Sequence, residues 1–295
     1  MIKLAMIDGT GAYHARAFAG LINRVDEDAF RASNWPLFKS VLSTRATVTH
    51  IWGDEEEPTR SLARAAGIKN VVSEPADVIG EVDGVLLLDN LKMTHQRHAP
   101  TFIKAGVPAF IDKPLSPRWA QAQRIVQLAR KSRTPIMSTS ALRYATEIAD
   151  RKAILDQVGD IVTCSAAGTN ELFFYGIHAL TFMLTVMQGR VRSVLNVGRR
   201  GQNIVRVRLV DGRQGVLLVS EKGVAPTFEV TIHGSKGHLR IASRDAQGFY
   251  GNMLADFLNV VETRKPSVPY DETLNVIHAL LLAKKSLRDG REYKV

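Results

Sequence analysis

The first half of the chain alternates between short apolar runs and stretches with helical spacing. The apolar runs predict strands at residues 2–8, 47–53, 83–89, 107–112 and 134–140. The stretches between them predict helices at residues 14–23, 58–67, 95–106 and 116–132. Ser116 and Pro117 hold the N-cap and first helical positions of the last helix. Strands that alternate with helices predict an α/β fold with a doubly wound parallel sheet.

The second half follows a different pattern, in which several strands come in succession. Helices are predicted at residues 145–157, 177–187, 250–264 and 271–290, and strands at residues 160–168, 191–198, 203–210, 214–221, 228–234 and 237–243. Asp211-Gly212 and residues 234–237 are typical hairpin turns. This half is predicted to be an α+β domain with a mostly antiparallel open sheet. We therefore predict two domains, residues 1–139 and residues 140–295.

Composition and charge narrow the class of protein. The formal net charge is +10, but the Lys and Arg residues are scattered over predicted helix faces, so we expect no nucleic-acid partner. No apolar run approaches the length of a membrane span, and the N-terminus lacks a signal-peptide pattern. The single cysteine, Cys164, excludes an internal disulfide, and a cytoplasmic location is expected. The eight histidines show no metal-ligand spacing, so no metal site is predicted.

Gly9-Thr10-Gly11 lies where the first predicted strand passes into the first helix. A dinucleotide pyrophosphate favours glycine there, because side chains would keep backbone N–H groups away from the phosphate. His14 stands at the third glycine position of the usual G-x-G-x-x-G pattern. It could donate a ring N–H to phosphate or simply crowd the turn. The alternative is a plain tight turn, but the position favours a Rossmann-type dinucleotide-binding domain.

Asp54 follows the second predicted strand, where an acid can accept hydrogen bonds from the adenosine ribose. It lies 43 residues beyond Gly11, and the polar insertion at residues 24–45 accounts for the long separation. Three glutamates follow Asp54, so a 2′-phosphate would meet like charge. We predict NAD rather than NADP as the cofactor. A solvated acidic turn is the alternative.

The run "PAFIDKPLS" (108–116) places Lys113 directly after a predicted central strand. Ligands bind at the carboxyl ends of such strands. Partial burial can lower the pKa of a lysine toward neutrality, so Lys113 could exchange a proton with an alcohol. Pro114 fixes the backbone immediately after Lys113, and the bond between the two residues is compatible with the cis form. Asp112 is expected to orient Lys113. A surface turn is the alternative.

These motifs together resemble the Gfo/Idh/MocA family, which includes glucose-fructose oxidoreductase and inositol dehydrogenase. Residues 83–116 carry the resemblance best: Asp112-Lys113-Pro114 matches the family's Glu-Lys-Pro, and His95 matches the histidine that opens a helix. Asp89 and Asn90 begin "DNLKMTH" (89–95), a loose version of the family's TPNxxH. "SALRY" (140–144) and "YGIHAL" (175–180) resemble the family's crossing segment and its D-x-G-x-H segment.

The resemblance implies an NAD(P)-dependent oxidoreductase that moves a hydride between nicotinamide and a hydroxyl-bearing carbon of a sugar, cyclitol or related polyol. Lys113 would exchange the hydroxyl proton, with His178 assisting. Substrate contacts would come from Arg143, Tyr144, Tyr175 and His178. Cofactor contacts would come from Gly9, Thr10, Gly11, His14, Asp54, Asp89, Asn90, His95, Asp112, Lys113 and Pro114. A homodimer or homotetramer is also implied.

Two departures from the family pattern concern the proton relay. Phe174 replaces the aspartate two residues before Gly176, and Thr181 replaces the acid three residues after His178. Tyr175 could stand in for the lost acid. The departures keep a second hypothesis open, that of a nucleotide-bound, non-catalytic sensor or regulatory protein on the same fold.

Overall fold

A computed structural model describes residues 1–89 and 92–295 of the chain. These residues divide into two compact units, each of which holds one sheet. Unit 1 comprises Met1–Ser116, Ala120–Ser138 and Tyr250–Pro269, and unit 2 comprises Pro117–Trp119, Thr139–Phe249 and Tyr270–Val295.

Unit 1 is an α/β unit with a parallel sheet. Its described strands are β1 (Ile2–Ile7), β2 (Ala46–Trp52), β3 (Asn70–Val71), β4 (Gly84–Leu87), β5 (Ala109–Ile111) and β6 (Ile136–Met137). Its helices are α1 (Tyr13–Ile22), α2 (Glu27–Ala32), α3 (Glu56–Ala65), α4 (His95–Lys104) and α5 (Trp119–Ser132), with a 3₁₀ turn at Pro75–Val78. The strand order β3-β2-β1-β4-β5-β6 reverses direction between β1 and β4. In such sheets ligands bind outside the carboxyl ends of the strands at that point.

The centre of the sheet in unit 1 is buried on both faces. Residues 4–7 of β1 and 85–87 of β4 are fully buried, as the near-continuous apolar runs predict. Phe18 of α1 packs edge-on against Phe110 of β5, with ring centroids 5.8 Å apart. The predicted parallel, doubly wound sheet is confirmed.

Unit 2 is an α+β unit with a mostly antiparallel sheet. Its elements are two 3₁₀ turns (Ala141–Tyr144 and Thr146–Ile148), α6 (Arg151–Val158), β7 (Ile161–Thr169), α7 (Gly176–Met187), β8 (Val191–Asn196), β9 (Gln202–Leu209), β10 (Gln214–Ser220), β11 (Phe228–Gly234), β12 (His238–Ala242), α9 (Tyr270–Asp289) and β13 (Tyr293–Lys294). The strand order is β12-β11-β7-β10-β9-β8-β13, and β7 with β10 is the parallel pair among these described strands. Both predicted hairpin turns join antiparallel neighbours.

Several helix boundaries differ from the prediction for local reasons. α5 begins at Trp119, three residues beyond the predicted start at Ser116. The Ser116 hydroxyl is buried and donates to Gln96 Oε1 at 3.3 Å. The predicted helix at 145–157 is shorter, because Asp150 caps α6 by accepting the Ala153 N–H. The insertion at 24–45 contains α2, whose N-cap is Asp26.

Helix α8 (Ala246–Thr263) does not follow the predicted division of the chain between residues 139 and 140. From Tyr250 onward α8 belongs to unit 1, although its sequence position placed it in the second domain. The physical reason is aromatic packing: Tyr250 lies 5.5 Å from Phe18, and Phe257 lies 5.9 Å from Phe110, measured between ring centroids. Unit 1 is therefore built from three segments of the chain.

The packing of α8 predicts how a core truncation on it should act. Phe257→Ala removes a fully buried ring, and such truncations typically cost about 3–5 kcal/mol of unfolding free energy. We expect the backbone amides of β5, in unit 1, to lose protection in hydrogen exchange followed by mass spectrometry. The exposed Asn252 on the same helix supplies the control, Asn252→Ala. Loss of protection in β9 with β5 unchanged would contradict this assignment of α8.

Candidate functional site

The turn after β1 needs glycine at its first position. Asp8 and Gly9 both have a φ of +63°, a left-handed backbone that glycine adopts without strain. A Cβ on Gly9 would also lie 2.7 Å from the Asp89 backbone nitrogen. Thr10 is buried, and its hydroxyl is 2.9 Å from that of Thr59 at the start of α3. Gly11 is exposed, so the protein itself leaves its outer side open.

The N-terminus of α1 follows this turn and is suited to an anion. Among the residues that the structure describes, no side chain caps it, and its first turn carries no acid. The Ala12 N–H donates back to the Gly9 carbonyl at 2.8 Å and closes the turn. The end of a helix with open N–H groups and an adjacent exposed glycine is the arrangement that binds phosphate. These residues therefore fit the pyrophosphate of a dinucleotide.

The carboxylate of Asp8 lies beside this turn and has several hydrogen-bonding partners. Asp8 is 1% exposed, and Thr94 donates its hydroxyl to it, while His98 Nε2 lies 3.6 Å from Asp8 Oδ2. Burial alone would raise the pKa of Asp8, but His98, Thr94 and the Gly9 N–H outweigh burial and hold the pKa well below its usual range. Asp8 is therefore a buried carboxylate at the carboxyl end of β1, and the sequence analysis did not identify it.

Asp54 lies at the end of β2 as predicted, but it has a cationic partner. Lys92 Nζ is 3.1 Å from Asp54 Oδ2 and 2.6 Å from Glu55 Oε1. The two carboxylates raise the pKa of the Lys92 ammonium, with the hydrogen bond to Glu55 as the largest cause. The acidic end of β2 thus carries two negative charges and one positive charge, all partly exposed.

The loop after β4 is tied down by Asp89 and His95. The Asp89 side chain accepts the Lys92 N–H at 3.0 Å and the Thr94 hydroxyl at 2.5 Å. His95 is fully buried, with Nδ1 2.5 Å from the Asp89 carbonyl oxygen and Nε2 3.3 Å from that of Pro114. Both ring nitrogens face backbone carbonyls, so His95 joins this loop to the one after β5. Asn90, predicted as a cofactor contact, lies outside the described residues.

His14 occupies a different environment from the one expected. Its Nδ1 is 2.5 Å from Asp112 Oδ2, and its Nε2 is 3.1 Å from the Tyr250 hydroxyl. Because both nitrogens meet partners inside unit 1, the geometry does not favour a bond to phosphate. Burial would raise the pKa of Asp112, but His14, followed by Lys113 and His95, outweighs burial and holds the pKa below its usual value. Asp112 is therefore a buried carboxylate.

Lys113 is 4% exposed at the carboxyl end of β5, next to Asp112. The peptide bond between Lys113 and Pro114 is cis. Burial lowers the pKa of the Lys113 ammonium, and the charge of Asp112 only partly opposes this effect. A lysine in this environment can lose and regain a proton closer to neutral pH than an exposed one.

His178 begins the buried helix α7 in unit 2. It is 6% exposed, and its Nδ1 is 2.7 Å from the Ser140 hydroxyl oxygen, which also accepts the Leu142 N–H at 3.2 Å. Because the serine oxygen accepts from Leu142, its own hydrogen can go to Nδ1. This arrangement favours the tautomer with the proton on Nε2. The His178 ring lies 5.2 Å from the ring of Phe228, measured between centroids.

The other predicted substrate residues, Arg143, Tyr144 and Tyr175, also lie in unit 2. The Tyr175 ring meets His178 edge-on, with centroids 5.7 Å apart. Arg143 Nη1 donates to Glu272 Oε2 at 2.8 Å, so its charge is already balanced on the protein. Tyr144 ends the 3₁₀ turn that Ser140 caps. Phe174 is half-buried next to Tyr175, in the position of the family's aspartate.

The sequence analysis missed several residues of this site. Asp8 and Thr94 had a local signal: they directly precede Gly9 and His95, two positions that had been identified. Ser140 stood in the segment 140–144 that resembles the family, but no role was given to it. Lys92 and Tyr250 had no local signal, because each acts through a contact with a distant part of the chain. Tyr250, for example, meets a residue 236 positions away.

Comparison with known proteins agrees with this geometry. The sequence model of the Gfo/Idh/MocA family, described as an oxidoreductase family with an NAD-binding Rossmann fold, matches residues 4–139. Inositol 2-dehydrogenase 1 of Saccharopolyspora erythraea is 26% identical over 196 residues, which cover 61% of this chain and 58% of that protein. The match thus spans less than two thirds of that relative.

Solved structures resemble the chain over its whole length. The scyllo-inositol dehydrogenase of Lactobacillus casei, with bound NAD(H) and scyllo-inositol, has a TM-score of 0.78 at 14% identity and covers 100% of this chain and 99% of its own. The myo-inositol 2-dehydrogenase of Lactobacillus plantarum gives the same four figures. At such identities the likeness shows the fold. The sequence match identifies residues 4–139 with the NAD-binding Rossmann domain of the Gfo/Idh/MocA oxidoreductase family.

Proposed function

We propose that the protein is an NAD-dependent dehydrogenase that acts on a CH–OH group of a sugar, cyclitol or related polyol. The observation that carries the proposal is Lys113, a lysine buried with Asp112 at the carboxyl end of β5. It lies in the same unit as a glycine turn and an uncapped helix suited to a dinucleotide. The relatives' inositol substrates support the polyol class.

The chain's own residues would hold the cofactor at three points. The N–H groups at the start of α1 would bind the pyrophosphate, and Asp54 would accept hydrogen bonds from the adenosine ribose. Asp89 and His95 would keep the loop after β4 in place. The bound nicotinamide supplies the hydride acceptor or donor. The protein's share is to position that ring and to manage the proton.

Lys113 would manage the proton. In oxidation its neutral amine accepts the proton of the substrate hydroxyl, and in reduction its ammonium returns that proton. Burial favours the neutral amine, while the Asp112 carboxylate favours the ammonium. Burial is the larger effect, so the pKa of Lys113 lies below the usual lysine value, the direction that a base in alcohol oxidation requires.

His178 would orient the substrate hydroxyl, as the family resemblance implies. With Ser140 on Nδ1, its Nε2–H is the group that would donate to a substrate oxygen. Tyr175 and Tyr144 would add hydroxyl groups. Arg143, which is paired with Glu272, would contact neutral polar groups rather than supply a full charge. These roles suit a polyol better than an anion.

A second candidate, a nucleotide-bound sensor without turnover, is favoured by Phe174 and Thr181. They replace the two acids of the family pattern near His178, and Thr181 is buried in α7. A sensor would bind NAD tightly and reduce none of it across a broad panel of polyols. Turnover with any member of that panel would exclude this candidate.

The location follows from less direct observations. Within residues 1–89 and 92–295, no helix is long and apolar enough to cross a bilayer. The single cysteine is buried, and burial raises the pKa of its thiol to about 12. We propose a cytoplasmic location on the basis of the sequence.

The charges at the end of β2 predict a preference for NAD over NADP. Asp54→Asn should narrow the difference in affinity between the two cofactors, because a 2′-phosphate then meets less negative charge. Lys92→Met should widen it, because the carboxylates lose their cation. Exposed charge pairs are screened by water and contribute little, so each change should be a few-fold. Fluorescence titration of each variant with both cofactors measures it.

Glu81→Gln is the matched control for this experiment. Glu81 is an exposed acid that precedes the amino end of β4, and its neutralisation should leave the ratio of the two affinities almost unchanged. Equal or tighter binding of NADP to the unmodified protein would show that Asp54 does not face the ribose.

Exposed apolar residues on the sheet of unit 2 predict that the protein associates with further copies of itself. Ile204 of β9 and Leu218 of β10 are cross-strand neighbours, and each is 44% exposed. Apolar groups in this position suit a subunit interface. We expect a dimer or tetramer by light scattering at micromolar concentration, and Leu218→Glu should weaken it. Val210→Glu, at an exposed hairpin end, is the control. A strictly monomeric mass would refute this expectation.

Substitution of Lys113 is expected to cause the largest loss of activity. Once a polyol panel has given a substrate, Lys113→Met should keep most affinity for NAD and lose about 10²–10⁴-fold in turnover, the usual contribution of positioned acid–base catalysis. Lys113→Arg should not restore turnover, because guanidinium keeps its proton near neutral pH. His178→Ala should be milder. Steady-state kinetics with NAD titration separates these effects.

Lys104→Met is the control, since Lys104 is an exposed lysine at the end of α4. It should behave like the unmodified protein. Near-normal turnover of Lys113→Met would remove Lys113 from the chemistry.

A further inference from the structure

Three buried side chains of unit 1 form a continuous hydrogen-bonded series that ends beside Lys113. The Tyr250 hydroxyl is 3.1 Å from His14 Nε2, and His14 Nδ1 is 2.5 Å from Asp112 Oδ2. All three are at most 9% exposed. We name this series the Tyr250–His14–Asp112 chain. It joins α8, α1 and the end of β5, three elements that are far apart in sequence.

Donors and acceptors in this chain can be assigned from its chemistry. Asp112 is ionised and can only accept, so His14 must carry a proton on Nδ1. If the ring is neutral, Nε2 accepts a hydrogen bond from the Tyr250 hydroxyl. If the ring is charged, Nε2–H donates to the tyrosine oxygen. Tyr250 satisfies His14 in either state, because a phenol both donates and accepts.

The other end of the chain fixes the backbone of Lys113. Asp112 Oδ1 accepts the Lys113 N–H at 2.8 Å, while Oδ2 faces His14. The carboxylate is thus held at both oxygens. Ring packing holds His14 itself: it stacks on Phe18 with centroids 5.3 Å apart and planes 6° apart, and Tyr250 meets it edge-on at 5.4 Å. Such a support leaves Asp112 little freedom to move relative to Lys113.

We propose that Tyr250, His14 and Asp112 are positioning residues for Lys113, which orient its backbone and fix the negative charge beside it. The proposal rests on the proposed function, in which Lys113 exchanges a proton with the substrate. It assigns His14 a role other than phosphate binding, and it gives α8 a part in the site.

The charge of the chain should act on Lys113 through Asp112. Asp112 raises the pKa of Lys113 against the effect of burial. The titratable groups that face the chain are Tyr13 and Tyr250 at His14, and Lys113 and His95 at Asp112. With Asp112→Asn the negative charge is lost, so Lys113 should give up its proton at a lower pH.

The first experiment needs no substrate. In protein labelled with ¹⁵N-histidine, long-range ¹⁵N–¹H correlation reports which ring nitrogens carry protons, and His14→Asn assigns the signals. We expect a proton on His14 Nδ1 at neutral pH. Tyr250→Phe should shift the His14 Nε2 signal, and Tyr13→Phe should not. Tyr13 is the matched control, because its ring also lies beside His14, at 6.0 Å, but it belongs to no bond of the chain.

A His14 Nδ1 without a proton, or an Nε2 signal that does not shift in Tyr250→Phe, would contradict the hydrogen bonds assigned to the Tyr250–His14–Asp112 chain. This readout does not depend on turnover. It therefore stands even if Lys113→Met were to leave activity intact and the proposed function were to fail.

The second experiment tests the effect on Lys113. In the oxidation direction kcat/KM should rise with pH as Lys113 loses its proton, and Asp112→Asn should move the midpoint of that rise to lower pH. Tyr250→Phe should lower kcat several-fold with KM little changed, and Tyr13→Phe should alter neither. A midpoint that stays in place in Asp112→Asn, or a Tyr250→Phe enzyme identical to Tyr13→Phe, would contradict the positioning role.

Discussion

The burial of a charged group at the carboxyl end of β5 is the constraint on which unit 1 depends. An amine and a carboxylate, Lys113 and Asp112, are both withdrawn from water there, which is costly unless each charge is compensated. Asp112 is compensated by His14, and His14 by Tyr250. The compensation thus extends through α1 to α8. The Tyr250 bond to His14 adds to the aromatic packing that places α8 in the first unit.

A similar argument applies where β1 and β4 end. Asp8 and Asp89 are both buried, and the Thr94 hydroxyl at the start of α4 lies within hydrogen-bond distance of both carboxyl groups. Its single hydrogen can go to only one of them at a time. Lys92 meets the acids at the end of β2. Each of these four acids therefore has a polar or charged partner on the protein, and the positive end of the α1 dipole stays available for a phosphate.

The fold and the main chemical groups could be predicted from the sequence, because both depend on local patterns. The alternation of apolar runs gave the parallel sheet, and Gly9 and Lys113 were found from their positions at strand ends. Boundaries were less accurate where a tertiary contact competes with a local preference. Ser116 and Pro117 were expected to open α5, but the helix begins at Trp119, and the Ser116 hydroxyl donates to Gln96. The two-residue strands β3 and β13 carry too little pattern to be seen.

Partners that act across the chain could not be predicted. Nothing in the sequence around Tyr250 indicates that its hydroxyl meets His14, and nothing around Lys92 indicates a bond to Asp54. The sequence left two roles open for His14, a ring N–H donor to phosphate or a residue that crowds the turn, and in the structure its two nitrogens face Asp112 and Tyr250. The motif placed the residue in the right unit, but only packing determines which atoms its two nitrogens meet.

The titration of Lys113 itself tests the central claim most directly. Lysine side chains labelled with ¹⁵N at Nζ can be followed by NMR over pH, with Lys113→Met to assign the signal. The account predicts that the Lys113 amine loses its proton well below the ordinary lysine value of about 10.4, because burial outweighs the charge of Asp112. A midpoint at or above that value would contradict it, since an ammonium that stable could not serve as the base in alcohol oxidation.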